Sequence, residues 1–383
     1  MVKKFRPLDK NLNKIKEREV TSREIVKKTI HFEKPDRLPY SVWIDIPRFE
    51  EEQGENTVET INDLVSNAKT DFILLDIQSD SNWKPDKKTP ILESLVGYFH
   101  DERVDEWQVT WKELRCVEHP LEKSWSLAEY YKTPDPFGPG RFDKAKAIMK
   151  KNKDKYHLGL VWFTLFERLW MLRGFNNMLT DPYTDLSEFS RLREKVIDFN
   201  LGLIEEWLNL GVDGIFISDD WGGQQKLLVN PDYWVKFYKP GYKKMFDAIH
   251  TGGADVWMHS CGNVTELIPH LLEINLDVLN PVQPQSMDID YLSRQYSGKL
   301  CFYGGADVQE TLPHGTPEDI RREVRHLVQS FGKKNGGYIG GTSHTILPDT
   351  SLVNMKALFD AFNDFCSHPD FELVENHKKV NLF

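Results

Sequence analysis

Eight short apolar runs, each continuous rather than alternating, most constrain what this chain can fold into. They span residues 38–44, 72–75, 158–164, 214–217, 255–258, 276–279, 300–303 and 337–340. A strand that is apolar on both faces needs cover on both faces, and sheets covered in that way are parallel. Parallel neighbours need long crossovers, and the segments between most runs have helical spacing. Residues 185–210 are one such segment, and 232–250, preceded by Pro231, are another. Thr21 and Thr316 stand where caps are expected, the second followed by Pro317, Glu318 and Asp319. A last helix is expected over 351–365. Eight strand–helix units predict the α/β class and a (β/α)8 TIM barrel. An open doubly wound sheet also fits the strand count, but no Gly-x-Gly-x-x-Gly follows the first run.

One stretch departs from the repeat. Between about 80 and 155, residues 98–99 and 104–111 alternate like strands, and 134–140 is rich in proline and glycine. We read an insertion after the second strand, a hairpin plus a lid over one mouth of the barrel. Residues 1–20 read as a polar lead-in, and 1–383 as one barrel domain. Acidic residues outnumber basic ones, 59 against 49, which argues against nucleic acid as a partner. No apolar run approaches the roughly 20 residues that span a bilayer. Four cysteines in a chain of this size suggest a reducing, cytoplasmic setting. A small-molecule substrate is the expected partner.

Barrels place their chemistry at the C-terminal ends of the strands. Here those ends carry Asp76, Glu167, Asp219 with Asp220, His259 with Cys261, Asn280 with Gln283, Asp307, and His344. Helix capping explains some of the aspartates. A histidine and a cysteine two apart on a strand end point to one side, and imidazole with thiolate suits zinc. The plain alternative is that Cys261 is a small buried hydrophobe. Gly262 lets the backbone turn away sharply. His344, in a loop after the eighth run, is the candidate third ligand, which would leave one position open for catalysis. Arg48 follows the first run, and Arg168 and Arg173, after the third, could pair with the acids around them or clamp a carboxylate. Trp221 could wall a pocket.

Several of these pieces together are similar to one family. Met258, His259, Ser260, Cys261, Gly262 and Asn263 form the first piece. Tyr303 to Asp307 (YGGAD) form the second, and Ser343 to Thr350 (SHTILPDT) with Asn354 the third. With weaker matches around Asp76 and Glu167, the chain resembles the uroporphyrinogen decarboxylase superfamily, whose fold is a (β/α)8 barrel. The decarboxylases carry an arginine-rich signature after strand one that binds substrate carboxylates. Only Arg48 is basic in the matching region here, beside Asp45. Asp76 matches their essential aspartate and His344 their loop histidine. The His-x-Cys pair is closer to the cobamide-dependent methyltransferases of the methylcobamide:coenzyme M type. Those hold zinc with this pair and a later cysteine, where His344 stands in this chain.

The resemblance implies a zinc-dependent methyltransferase that moves a methyl group between a corrinoid and a zinc-activated thiol or similar acceptor. The metal ligands would be His259, Cys261 and His344. Asp76, Glu167, Asp219 and Asp220 would orient groups or accept a proton. Arg48, Trp221, Asn280, Gln283 and Asp307 would contact substrate. The methylcobamide would be carried by a partner corrinoid protein, and a homodimer is expected by analogy with the decarboxylases. The alternatives are decarboxylation of a carboxylated tetrapyrrole and a corrinoid-binding protein without turnover.

Overall fold

Phe72 packs edge-on against Tyr303, with ring centres 5.2 Å apart, although their strands lie five places apart in one sheet. Only a sheet that curls on itself allows this contact. A computed structural model describes residues 20–68, 70–85, 88–93, 99–332 and 335–367. The lead-in up to residue 19 and Tyr98, expected in a strand, lie outside the described residues.

Among the described residues, the curled sheet has seven parallel strands. They are β1 (Phe72–Leu75), β6 (Tyr156–Val161), β7 (Gly214–Ser218), β8 (Asp255–His259), β9 (Val278–Asn280), β10 (Cys301–Tyr303) and β11 (Tyr338–Ile339), adjacent in that order. With helices following the strands, this is a TIM-barrel-like α/β fold, as expected. Seven of the eight expected runs form strands. The eighth, residues 38–44, makes only isolated parallel bridges, Tyr40 to Gly340 and Ile44 to Ile346. Pro39 has no N–H to give a ladder. The Tyr40 N–H turns instead to the Asp71 carboxylate, which Arg37 also holds.

Between β1 and β6, the described residues form a separate four-stranded sheet. It is built from β2 (Thr89–Pro90), β3 (Arg103–Val104), β4 (Thr110–Lys112) and β5 (Arg115–Glu118), antiparallel except for β2 with β3. The run 104–111, expected as one strand, is instead split between β3 and β4 by a turn in which the Gln108 N–H donates to the Asp105 carbonyl at 2.9 Å. The sheet meets the barrel where Trp111 stacks on Phe163 at 5.8 Å and Arg168 reaches Asp105 at 3.2 Å.

Helix boundaries follow local chemistry. Thr21 and Thr316 each complete a capping box, with Glu24 and Asp319. The helix expected over 232–250 is two helices, Pro231–Phe237 and Lys239–Thr251, because Pro240 suits only a first turn. No helix among the described residues is long and apolar enough to cross a membrane.

Inside the ring, Phe72, Tyr156, Phe216, Trp257, Val278, Tyr303 and Ile339, one from each strand, form a buried cluster. The lower barrel is therefore filled. Side chains alternate along a strand, so the residue two beyond each plug residue enters the layer above it. His259 follows Trp257 in this way, and Asn280 follows Val278. The register pairs Ser218 with His259 and His259 with Asn280. This row is the floor of the candidate site.

Candidate metal centre at the barrel mouth

His259 is buried at the end of β8. Its Nδ1 lies 2.7 Å from Asn280 Oδ1. Its Nε2 faces Cys261 Sγ at 3.3 Å and Asp220 Oδ1 at 3.6 Å. Asp220, His259 and Cys261 each offer a donor atom, and these atoms lie within 4.8 Å of one another. Among the described residues, no other group of three His, Cys, Asp or Glu side chains is gathered in this way.

The backbone builds this cluster tightly. Cys261 N–H donates to Asp220 Oδ1 at 2.8 Å. Gly222 N–H donates to the Cys261 carbonyl at 3.1 Å. Gly262 has φ +78°, and a Cβ there would lie 2.4 Å from the backbone of Gly222. Both the turn and the contact between the two loops therefore require glycine at 262. Gln283 secures the same turn, its Oε1 accepting from Gly262 N–H at 2.7 Å.

Asp219 and Asp220 part at the end of β7. Asp220, an even step beyond Phe216, enters the mouth. Asp219 points the other way and is fully buried. It accepts N–H bonds from Leu165, Phe166 and Glu167 and the Tyr242 hydroxyl. It therefore holds the first turn of the helix Phe166–Arg173, so its expected role in the chemistry gives way to a structural one. Burial raises its pKa to about 6, against the pull of those donors.

Burial pushes the Cys261 thiol well up, with Asp220 and Glu167 adding to the effect. A thiolate beside two carboxylates is unfavourable unless a cation joins them. Burial, then Asp220 and Asp219, likewise hold the Glu167 carboxyl well above its ordinary range. The donor set thus fits a divalent ion: a carboxylate oxygen, an imidazole nitrogen and a thiol sulfur, in electrostatics that a positive charge would relieve.

His344 lies outside the group of three. Its ring centre is 6.2 Å from that of His259. It keeps an exposed edge at the mouth while protein crowds its other side. That desolvation and nearby His259 lower its pKa. His344, expected as the third donor, stands outside the group, and Asp220, expected among the acids, stands within it. Asp76, at the end of β1, is half-buried and accepts from Ile77 N–H at 2.8 Å.

The expected substrate contacts are mostly elsewhere. Arg48 lies on the exposed helix Ile46–Gln53 and pairs with Glu52 at 2.7 Å. Trp221 is fully buried, stacks on Phe166 at 4.2 Å and donates to the Tyr242 hydroxyl. Asp307 is fully buried and accepts from the N–H groups of Gln309 and Glu310 and from Gln285. Apolar surroundings and capping, respectively, account for these two.

The uroporphyrinogen decarboxylase (URO-D) family profile matches residues 162–365, just over half of the chain. A uroporphyrinogen decarboxylase of Chlorobium phaeobacteroides is 25% identical over 189 residues, 48% of this chain and 50% of that protein. One of Chlorobaculum tepidum is 22% identical over 173 residues, 44% and 47%. The chain spans about half the length of the curated relatives it matches. Among solved structures, a methyltransferase from Methanosarcina mazei superimposes with a TM-score of 0.65 at 14% identity, covering 91% of this chain and 99% of its own. At that identity the likeness is one of fold.

Proposed function

This chain belongs to the uroporphyrinogen decarboxylase family, and on that footing we propose that it is a zinc-dependent methyltransferase acting between a corrinoid, carried by a separate protein, and a thiol or similar acceptor. The observation that carries the reading is the convergence of Asp220, His259 and Cys261 on one point. Carboxylate, imidazole and thiol suit zinc, and three protein ligands leave one tetrahedral position open. His344 stands close by at the mouth and would take a ligand place only in exchange for one of these three. A bound zinc ion would supply a Lewis acid that favours the thiolate form of a thiol at the open position.

The remaining roles fall to the chain's own residues. Asp220 and Cys261 are set by the bond between them, so the donors are placed before any ion arrives. Glu167 offers a carboxyl of raised pKa whose charge bears on Cys261, able to hold or return a proton at its Oε atoms. The packed aromatic floor under His259 closes the lumen, so substrate approaches from the mouth. The fold shared with a methyltransferase is compatible with this reading.

Decarboxylation of a tetrapyrrole is the second reading, favoured by Asp76 at the end of β1 and by the names of the curated relatives. It needs cations for the substrate's carboxylates. Arg48 is turned to a surface helix, and Arg168 is held by Asp105 and the Trp107 ring. Metal analysis with two assays separates the readings. About one zinc per chain, lost in Cys261→Ser, with demethylation of methylcobalamin by a thiol, supports the first. Zinc-free protein that consumes uroporphyrinogen supports the second. Tight corrinoid binding without turnover would point to a non-catalytic binding protein.

A further inference from the structure

We propose that Asn280 is a positioning residue that fixes the tautomer of His259, leaving its Nε2 lone pair free for a metal ion. The inference rests on the reading of Asp220, His259 and Cys261 as a metal centre. Asn280 was expected to touch substrate, but both ends of its side-chain amide are engaged within the protein. Nδ2 lies 3.2 Å from the Tyr303 carbonyl oxygen, which can only accept. The NH2 end therefore faces Tyr303, and Oδ1 faces His259 Nδ1 at 2.7 Å. An amide oxygen cannot donate, so Nδ1 must carry the ring proton.

In a neutral imidazole that proton leaves the lone pair on Nε2. Nε2 is the nitrogen that faces Cys261 Sγ and Asp220 Oδ1. The orientation is built into the sheet. His259 and Asn280 are partners in the β8–β9 register, and Ser260 N–H donates to the Asn280 carbonyl at 2.8 Å. Both side chains are at least nine-tenths buried, so water does not compete for these bonds. A ligating histidine whose second nitrogen is held in this way keeps its ring orientation and its basicity.

Nitrogen NMR of histidine-labelled, metal-stripped protein, with zinc affinity from chelator competition, tests the proposal. In the wild type, the His259 proton is expected on Nδ1 before any metal is added. Asn280→Leu should lose that preference and weaken zinc binding by about tenfold to a hundredfold. Asn280→Asp keeps an acceptor for Nδ1 and should recover both the tautomer and most of the affinity. A wild-type proton on Nε2 overturns the proposal by itself, even if no variant folds. A folded Asn280→Leu with wild-type tautomer and affinity also overturns it. Wild-type protein that binds no zinc contradicts the metal reading instead, and the metal-free tautomer still reports on Asn280.

Discussion

Asp220 Oδ1 accepts the backbone N–H of Cys261 at 2.8 Å, so the loop that carries the thiol also orients the carboxylate beside it. Replacing the carboxylate should therefore disturb the site more than replacing a neighbour outside the group of three. Asp220→Asn is expected to weaken zinc binding more than His344→Ala does. Titration of each apo-variant against a chromophoric chelator checks the order. The reverse order would make His344, and not Asp220, the third ligand.

Gly262 is strained for any other residue. Alanine there must adopt φ +78° and press its Cβ on the Gly222 backbone. The cost is expected to be about 2 kcal/mol or more. Thermal or urea unfolding of Gly262→Ala measures it, and a loss below about 0.5 kcal/mol, the level of a surface change, would contradict the account of the loop.

Arg168 ties the four-stranded sheet to the barrel through Asp105 and the face of Trp107. Both charged groups are largely buried, and removing one partner of such a pair costs about 3–5 kcal/mol. Arg168→Gln should loosen this sheet before the barrel unfolds. Limited proteolysis is then expected to cut within residues 99–118 in the variant and to spare them in the wild type.

Two histidines at the opposite end of the barrel make stability depend on pH. His31 Nε2 lies 2.9 Å from Asp255, and His250 Nε2 lies 2.7 Å from Asp277. Those bonds are the first cause of a raised pKa in each. A raised folded-state pKa means that the folded chain holds the proton more tightly than the unfolded one. The stabilisation is full below the ordinary value of 6.5 and is lost as pH rises through the raised values. The melting temperature should fall as pH rises from about 6.5, and more steeply in the wild type than in His31→Gln/His250→Gln. Parallel profiles would refute the pairing.

Much of the fold was legible because a strand buried on both faces must be continuously apolar. β1 coincides with the expected run, and β6 to β11 depart from theirs only at the ends. The run at 38–44 looked the same, but Pro39 and the Asp71 carboxylate draw its backbone out of the ladder. His259 and Cys261 were legible from their spacing. The different fates of Asp219 and Asp220 were not. Adjacent residues on a strand end face opposite sides, and no local pattern says which side is the lumen. Arg48 shows the same limit: a residue after a strand can belong to the next helix and face solvent.

If Asp220, His259 and Cys261 share one ion, X-ray absorption at the zinc edge, on protein purified without chelator, will read their donor atoms. About one zinc per chain is expected, with one sulfur and at least two nitrogen or oxygen neighbours, the sulfur lost in Cys261→Ser. Zinc-free protein, or a zinc signal whose sulfur persists in that variant, would contradict a shared ion.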